Sequence, residues 1–233
     1  MSGVRLRLAS YNIRKAVGLD WRRDPARILQ VIDGLDADIV ALQEADKRLG
    51  PRPAAIPPKA IARETGLRAV KLAGSPVSLG WHGNALLVRR DLKIEGTDLI
   101  ELPGIEPRGS VLVRLVTAAG PLTVVGVHLG LRRRCRQLQF ERILETLSEI
   151  DLQRAVILGD FNEWSPDRGV EPLLPRFNVV SPGLSFHASQ PVAPLDRFAL
   201  GPALQLLDMG VETGEIARKA SDHLPVWTDV ALQ

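Results

Sequence analysis

Polar side chains that can bind metal ions or transfer protons interrupt the apolar segments of this sequence at widely separated positions. Each stands at or just after the end of such a segment, where a packed core would favour an apolar residue. An unpaired polar group costs about 1–3 kcal/mol when it is buried, so we expect these side chains to meet in one shared polar site. They are Asn12, Glu44, His128, Asp160, Asn162, Asp222 and His223.

Asp160 and Asn162 offer the chemistry of water activation. They follow the apolar run 155–158 and lie two residues apart, and in an extended backbone side chains two apart point the same way. A carboxylate beside a carboxamide supplies an acceptor and a donor. The pair is therefore suited to aligning a water molecule and to contacting a phosphoryl oxygen.

Glu44 follows the apolar segment 38–42 and offers an oxygen ligand at the exit of a different predicted strand. Hard oxygen ligands favour Mg²⁺ or Mn²⁺ over zinc. The single cysteine, Cys135, excludes an intramolecular disulfide and a cysteine-based zinc site. The sequence therefore predicts a hard divalent cation.

Two histidines, His128 and His223, add imidazoles at further predicted strand ends. Asp196 is a natural partner that would orient one of them through a ring N–H. Taken singly, these positions also have ordinary structural interpretations, because isolated motif matches are weak. These are a capping or solvated Glu44, a hydrogen-bonded core His128, a surface pair of Asp196 with Arg197, an Asn12 that caps its own loop, and a simple turn at Gly159-Asp160.

The elements that must hold these residues alternate between strand and helix patterns. Alternation of Val4, Leu6 and Leu8 with other residues predicts a strand that ends near Asn12. Asp24-Pro25 is typical of an N-cap and first helical position, with a helix to about residue 35. Further predicted strands cover 38–42, 69–73, 85–89, 93–101, 110–117, 122–128, 155–158, 197–199, 205–208 and 224–230, and further predicted helices cover 58–65, 132–150 and 168–174. This mixture, without a repeat, favours a layered α/β fold with mixed sheets.

Composition excludes several classes of protein. A length of 233 residues with 45% hydrophobic and 24% charged residues suits one α/β domain with a large core. A net charge of +3 is too small for a strongly basic nucleic-acid binder. No apolar run approaches the roughly 20 residues that span a bilayer, and no apolar signal core is present, so we expect a cytoplasmic protein.

Eight short motifs follow one another between about residues 6 and 230. They are Tyr11-Asn12, Gln43-Glu44, Gly83-Asn84-Ala85, Pro107-Arg108, His128-Leu129, Gly159-Asp160-Phe161-Asn162, Asp196-Arg197 and Ser221-Asp222-His223-Leu224-Pro225. In this order and spacing the series resembles the endonuclease/exonuclease/phosphatase superfamily, as a small single-domain member of bacterial type. That superfamily includes DNase I-like nucleases, abasic-site endonucleases, neutral sphingomyelinases and inositol polyphosphate 5-phosphatases.

The resemblance implies a four-layer α/β/β/α sandwich, with two mixed sheets face to face and helices outside, formed by residues 1–233 as one domain. It also implies a hydrolase of phosphate esters that depends on Mg²⁺ (or Mn²⁺), with its site at one end of the sandwich. Glu44 would be the main metal ligand, and Asn12 and Asp222 would be secondary or second-metal ligands.

The resemblance also assigns the remaining roles. Asp160 would align or deprotonate the attacking water, and Asn162 would hydrogen-bond the phosphate or the nucleophile. His223, held by Asp196, would contact the scissile phosphate or act as the base. His128 would donate a proton to the leaving oxygen, and its presence argues mildly against an abasic-site endonuclease. Arg108 and Asn84 would make substrate or scaffold contacts.

The identity of the phosphate ester stays open at this point. Arg132 begins a run of arginines close to His128. The run suits phosphate binding but could equally be the solvated start of a helix. Cations at a helix start, however, oppose the helix dipole. Trp164 could form a wall of the pocket or anchor a loop. Nucleic acid, a phospholipid headgroup and a small phosphorylated metabolite are all compatible substrates.

A monomeric phosphodiesterase or nuclease is the function that we expect first. A phosphomonoesterase or phospholipid-headgroup phosphodiesterase would use the same site. A catalytically silent binding module is disfavoured, because such relatives usually lose a ligand or the final histidine. This sequence keeps Glu44, Asp160, Asn162, Asp222 and His223.

Overall fold

The computed structural model describes residues 4–47, 50–72, 75–166 and 168–232. Its strands are β1 (Val4–Asn12), β2 (Ile39–Gln43), β3 (Leu67–Ala69), β4 (Ala85–Arg89), β5 (Lys93–Leu102), β6 (Arg108–Thr117), β7 (Gly120–His128), β8 (Ala155–Asp160), β9 (Asn178–Val180), β10 (Asp196–Leu200), β11 (Leu204–Val211) and β12 (Val226–Leu232). Its α-helices are α1 (Pro25–Gly34), α2 (Pro58–Glu64), α3 (Arg133–Thr146) and α4 (Ala217–Ala220), with short 3₁₀ turns at Arg14–Ala16, Leu147–Glu149 and Leu152–Arg154.

The strands form two mixed sheets of six. The first sheet has the order β11-β12-β1-β2-β4-β3, and the second has the order β5-β6-β7-β8-β10-β9. Each sheet contains one parallel pair, β1 with β2 and β7 with β8, among antiparallel neighbours. Helices α1 and α3 make the crossovers within these two pairs, as parallel strands require.

Side-chain alternation along the strands separates three buried clusters. In β1, Leu6 and Leu8 pack into the space between the sheets, whereas Ala9 and Tyr11 pack on the helix side. The inter-sheet cluster draws on both sheets, with Val124 of β7 as an example from the second. The outer clusters place α1 and α2 against the first sheet and α3 against the second. This arrangement confirms the predicted four-layer sandwich.

Asp24 and Pro25 begin α1 as predicted. The Asp24 carboxylate accepts a hydrogen bond from the Arg27 amide at 3.1 Å, and Pro25 takes the first helical position. No helix among the described residues is both long and apolar enough to cross a membrane.

Several element predictions were wrong. Residues 168–174 form turns rather than a helix, because Pro172 and Pro175 lack the amide donors that a helix needs and Gly169 has a φ of 85°. The predicted helix 132–150 ends as an α-helix at Thr146 and continues only as a 3₁₀ turn. The strand predicted at 69–73 lies at Leu67–Ala69 instead, and residue 73 lies outside the described residues. Strand β9 and helix α4 were not predicted, because both are too short to carry a periodic signal.

Candidate active site

The inward faces of four strands present polar residues at one end of the inter-sheet space. In β7 and β8 the inward residues have even numbers, so His128 and Asp160 face the opposite sheet, as does Asn12 in β1. His128 and Asp160 are directly paired in the parallel register, and Asp196 of β10 is paired with Asp160 on its other side. The sheet pairing therefore fixes three acid–base residues side by side.

Asp160 lies at the centre of this group. Its Oδ2 atom accepts a hydrogen bond from Asn12 Nδ2 at 3.1 Å, which joins the two sheets. The same oxygen lies 3.4 Å from His128 Nε2 and 3.7 Å from His223 Nε2. Asp160 is buried, so one carboxylate oxygen can serve two imidazoles and a carboxamide without competition from bulk water.

His223 is held from behind by Asp196. Its Nδ1 lies 2.8 Å from Asp196 Oδ2, and Ser185 donates its hydroxyl to the same oxygen at 2.6 Å. With Nδ1–H donated to Asp196, the other ring nitrogen faces Asp160 and the site. Asp196 is fully buried, which is incompatible with the surface pair that the sequence also allowed.

Burial and charge affect the two histidines in opposite ways. Burial lowers the pKa of His128 to about 3, because the opposing charge of Asp160 does not compensate for it. Burial also disfavours protonation of His223, but the Asp196 and Asp160 carboxylates outweigh it and raise the pKa of His223 to about 10. One imidazole is therefore neutral and the other is cationic at neutral pH.

Glu44 and Asp222 lie on either side of the 3₁₀ turn that follows β1. Lys15 pairs with Glu44, and the neighbouring Arg14 places its Nε 3.4 Å from Asp222 Oδ2. The Lys15 amide also donates to the Glu44 carbonyl oxygen at 3.0 Å. The consecutive residues Arg14 and Lys15 thus contact the Asp222 and Glu44 carboxylates, respectively. The turn begins two residues after Asn12.

The chemistry of this donor set fits a hard divalent cation. Glu44 and Asp222 offer carboxylate oxygens, each partly exposed, and Asn12 offers a carboxamide oxygen that accepts the Arg14 amide at 3.2 Å. Within the described residues no group of three or more His, Cys, Asp or Glu side chains forms a metal cage. Mg²⁺ typically binds through one or two carboxylates and keeps several waters, so this sparse set suits it better than a metal that needs a full protein cage.

A cavity of about 220 Å³ opens beside Glu44 and His128. Arg108 and Lys15 line it together with Asp46, whose carboxylate accepts the Leu79 amide at 2.6 Å. Burial raises the pKa of Asp46. The cavity is lined by both cationic and carboxylate side chains, with Glu106 among the latter.

Asn84 has a structural contact. It is buried and donates its Nδ2 to the Gly109 carbonyl oxygen at 2.8 Å, which joins the residue just before β4 of the first sheet to β6 of the second. Of the two roles expected for Asn84, substrate or scaffold contact, this geometry supplies the scaffold contact.

The orientation of Asn162 differs from the extended geometry that the sequence suggested. Strand β8 ends at Asp160, and Asn162 has a φ of 51°. Its amide N–H donates to Asp160 Oδ1 at 2.9 Å, and its Nδ2 donates to the Leu129 carbonyl oxygen at 2.9 Å. Asn162 remains beside Asp160 because a tight turn returns it there, rather than through strand alternation.

The arginine run has a different partner from the one expected. Glu163 is buried at the N-terminus of α3, where Arg133 donates to both of its oxygens at 3.0 and 3.1 Å and Arg136 donates to one of them at 2.6 Å. Arg132 precedes the helix and is exposed. The carboxylate of Glu163 therefore accounts for two of these arginines, while Arg132 is exposed to solvent.

Trp164 follows Glu163 on the surface, with 58% of its side chain exposed. Its ring centroid lies 5.9 Å from that of Phe186 at an interplanar angle of 77°. Phe186 in turn contacts the His223 ring at 5.0 Å. Trp164 is thus connected to the site through one ring, and its indole faces solvent.

Several site residues were missed from the sequence. Lys15 and Asp46 lie close in sequence to Asn12 and Glu44, but their types carry no specific signal. Ser185 is remote from its partner Asp196 in a loop of no obvious pattern. Glu163 could have been found, because a run of arginines at a helix start calls for an anionic partner.

The fold and the polar end of the inter-sheet space define a DNase I-like α/β sandwich of the phosphoesterase type. The chain belongs to the Endonuclease/Exonuclease/phosphatase family, which it matches over residues 9–223. Members of this family hydrolyse phosphate esters and generally depend on a divalent metal.

The chain is also similar to several individual proteins. The chain is 29% identical over 167 residues to the uncharacterized protein YbhP of Escherichia coli K12, in a match that covers 66% of this chain and 64% of YbhP, less than two thirds of that relative's length. A mannosyl-6-phosphatase of Bacteroides thetaiotaomicron superimposes with a TM-score of 0.74 at 18% identity, covering 97% of this chain and 100% of that chain. D. rerio TDP2, in a complex with a single-strand DNA product, superimposes with a TM-score of 0.72 at 18% identity, covering 97% of this chain and 98% of that chain. At this identity the two structures show a shared fold alone.

Proposed function

We propose that this chain is a Mg²⁺- or Mn²⁺-dependent phosphodiesterase or nuclease that uses in-line attack by an activated water molecule. The observation that carries the proposal is the convergence of Asn12, His128 and His223 on one oxygen of Asp160. A buried carboxylate surrounded by proton donors can orient a water and exchange a proton with it. A purely structural ion pair would not need two imidazoles around one oxygen.

Each residue near Asp160 has a role that its contacts support. Asp160 aligns or deprotonates the attacking water. His223, oriented by Asp196, presents Nε2 to a phosphoryl oxygen and stabilises the charge that develops there. Asn162 keeps the second hydrogen of its Nδ2 for the phosphate or the nucleophile, because one is already donated to Leu129.

His128 is the proposed donor to the leaving oxygen. Its pKa of about 3 makes it neutral in the free site, so a bound phosphate must raise that pKa before the ring can donate a proton. A phosphate dianion or monoanion next to a buried imidazole has this effect, because it favours the charged form of the ring.

Glu44, Asn12 and Asp222 would hold the metal. When bound there, a divalent cation neutralises charge on the transferring phosphoryl group and on the leaving oxygen. Lys15 and Arg14 would then exchange their present carboxylate partners for the anionic substrate. Arg108 and Arg132 would contact substrate from the cavity and from the rim.

The test is a substrate panel assayed with Mg²⁺, with Mn²⁺ and with excess EDTA. It contains single-stranded and plasmid DNA, RNA, a lysophospholipid, a phospholipid, a sugar phosphate and inositol phosphates. We expect diester cleavage that EDTA abolishes. Turnover of monoesters alone would replace the proposal with a phosphomonoesterase, and turnover of lipids alone with a headgroup phosphodiesterase.

Variants of two aspartates separate the catalytic carboxylate from a general loss of charge. Asp160→Asn should lower kcat by about 10²–10⁴-fold. Asp91→Asn serves as the matched control, since Asp91 is exposed and follows the end of β4 remote from the site. Metal and phosphate binding without turnover of any substrate would indicate a silent binding module.

A further inference from the structure

The backbone on both sides of Trp164 is fixed by buried charged groups. Before it, the Glu163 side chain is held by Arg133 and Arg136, and it also accepts the Ser165 amide at 3.0 Å. Around it, Arg197, which is almost fully buried, donates to the carbonyl oxygens of Glu163, Ser165 and Pro166. This segment is therefore a rigid support rather than a loose loop.

This rigid support presents a largely exposed tryptophan. Trp164 contacts Phe186 with the two rings nearly perpendicular, and more than half of its side chain stays exposed to solvent. A large aromatic side chain that stays exposed on a fixed backbone contributes little to folding, because it buries little apolar area. Its position beside the ring that covers His223 makes it part of the approach to the site.

The indole face of Trp164 differs from those of two other tryptophans. The guanidinium of Arg14 lies 4.6 Å from the ring centroid of Trp21, and that of Arg7 lies 4.5 Å from the ring centroid of Trp227. Among the described residues no such cation covers Trp164. Within the described part of the chain, Trp164 thus offers an exposed π surface without a stacked guanidinium or ammonium group.

We propose that Trp164 is a stacking platform for the nucleobase adjacent to the scissile phosphate. This inference rests on the proposed phosphodiesterase function and assigns nucleotides or single-stranded nucleic acid as its substrate class. A flat, rigid aromatic surface matches the face of a base. Exposed Arg132 lies at the start of the helix that holds Glu163, where it can contact the next phosphate along a strand.

A lipid chain fits this surface less well than a base does. An acyl chain needs a groove or an extended apolar area, whereas the residue after Trp164 is the polar, half-buried Ser165. A single stacked base also agrees with a protein of only 4% aromatic residues, which has too few rings for an extended stacking surface.

Tryptophan fluorescence in EDTA tests the platform without turnover. The probes are a nucleoside monophosphate, a short single-stranded oligonucleotide, ribose 5-phosphate and vesicles of phosphatidylglycerol. We expect saturable quenching by the two base-containing probes and none by the other two. Trp164→Leu should remove most of the quenching and raise the Kd of the nucleotide by about 5- to 150-fold, as the loss of one base–aromatic stack predicts.

Trp21→Leu is the matched control, because Trp21 is even more exposed (78%) but contacts Arg14 instead of Phe186. This variant should keep the nucleotide-dependent quenching. Trp164→Phe should recover part of the affinity, and thermal melting should show that all three variants fold. Tighter binding of the oligonucleotide than of the mononucleotide would identify single-stranded nucleic acid as the substrate, and equal binding would identify a free nucleotide.

Other outcomes would overturn the inference. Quenching that persists in Trp164→Leu and vanishes in Trp21→Leu would place the base elsewhere, and a response to ribose phosphate or vesicles alone would assign a different substrate class. The result is separable from the proposed function. Metal-dependent cleavage of glycerol diesters without nucleotide quenching would reject only the platform, whereas quenching without hydrolysis of any ester would reject only the enzymatic activity.

Discussion

Asp196 shows how one buried carboxylate can determine what a neighbouring imidazole does. It accepts the ring N–H of His223 and the hydroxyl of Ser185 on the same oxygen, which fixes the tautomer and the orientation of the ring. The carboxylate also supplies much of the charge that keeps His223 protonated against the cost of burial. Its effect on the reaction is therefore indirect, through the position and the charge of His223.

The substitution Asp196→Asn should reduce kcat by about 10²-fold or more, with little change in KM. The amide keeps the shape of the carboxylate but loses its charge. Its NH₂ group can also donate to His223 Nδ1, which would favour the tautomer of His223 that is wrong for the reaction. Steady-state kinetics on the best substrate of the panel measure both constants. Ser185→Ala, which removes a hydroxyl and leaves the carboxylate in place, should have a smaller effect, and equal effects of the two variants would contradict this role.

Glu44 and Lys15 should have opposite effects on metal binding. Glu44→Gln removes a charged ligand and should weaken Mn²⁺ binding at least tenfold, a loss comparable to that caused by mutations around metal ligands in general. Lys15→Met removes the ammonium that pairs with Glu44 and should tighten Mn²⁺ binding. Isothermal titration calorimetry measures both. Unchanged Mn²⁺ binding in Glu44→Gln would show that Glu44 is not the principal ligand, and weaker binding in Lys15→Met would show that Lys15 does not compete with the metal.

At the scale of elements, Glu163 joins the loop after β8 to the first turn of α3. Its carboxylate pairs with Arg133 and Arg136, and it lies next to Asn162 and Trp164 in the chain. A negative charge at a helix N-terminus is favourable, which offsets the arginines that begin this helix. The loop that holds the site is thus fixed by electrostatic contacts with a helix rather than by packing alone.

The stability that Glu163 contributes should depend on pH in the acid range. Burial alone would raise its pKa, but Arg133, Arg136 and the Ser165 amide outweigh it and lower the pKa from 4.5 to about 2. A lowered pKa means that the contribution, roughly 3 kcal/mol, is complete above pH 4.5 and is lost as the pH falls to about 2. Glu163→Gln should therefore differ from the wild type by a constant free energy of unfolding near neutrality, and the difference should shrink below pH 4.5.

Urea unfolding between pH 3 and pH 7 measures this difference. Glu141→Gln is the control, because Glu141 is exposed on the same helix and lacks the two buried contacts. Its unfolding free energy should follow the wild type at each pH. A difference for Glu163→Gln that stays the same at every pH would show that its charge is not what stabilises the loop.

The sequence predicted long elements well and short or turn-based ones poorly. Strand β1 and helix α1 were predicted because each carries a full periodic pattern, and α1 also has its cap. The turns after Gly169 were mistaken for a helix, although Pro172 and Pro175 lie within or next to that segment. The extended geometry expected for the Asn162 side chain was also wrong. Asn162 has a positive φ, and a positive φ leaves no mark in the spacing of apolar residues.

The candidate site was predictable in its residue types but not in its contacts. Asn12, His128 and Asp160 were identified because each ends an apolar strand. The structure shows Asn12 within hydrogen-bonding distance and His128 within ion-pair distance of Asp160. The pairing of Glu163 with Arg133 and Arg136 spans 30 and 27 residues, and no local pattern indicates such a distance. Roles in catalysis and metal binding remain predictions for the experiments above.

At the scale of the whole molecule, the two sheets depend on one inter-sheet cluster. Leu158 of β8 lies in this cluster, two residues before Asp160, opposite residues such as Leu8 of β1. The site lies at the end of the same space, and Asn12 and Asp160 bridge the two sheets there. Loss of packing between the sheets should therefore disturb folding and the site together.

Leu158→Ala should lower the free energy of unfolding by about 2–5 kcal/mol, because it leaves a cavity between the sheets. If the chain is the single domain that we predict, circular dichroism and fluorescence should show one coincident transition in both wild type and variant. Leu207→Ala, at an exposed position in β11, should leave the transition nearly unchanged. Separate transitions for the two probes would reveal sheets that unfold independently.

The lone thiol of this chain has a practical consequence. Cys135 is buried in the first turn of α3, between Arg133 and Arg136. A thiol reagent reaches it only when that turn opens, so the rate of its modification in the native state measures the local opening of the structure that holds Glu163. No cysteine has to be engineered or removed, since every labelled molecule reports from the same place in the first turn of α3.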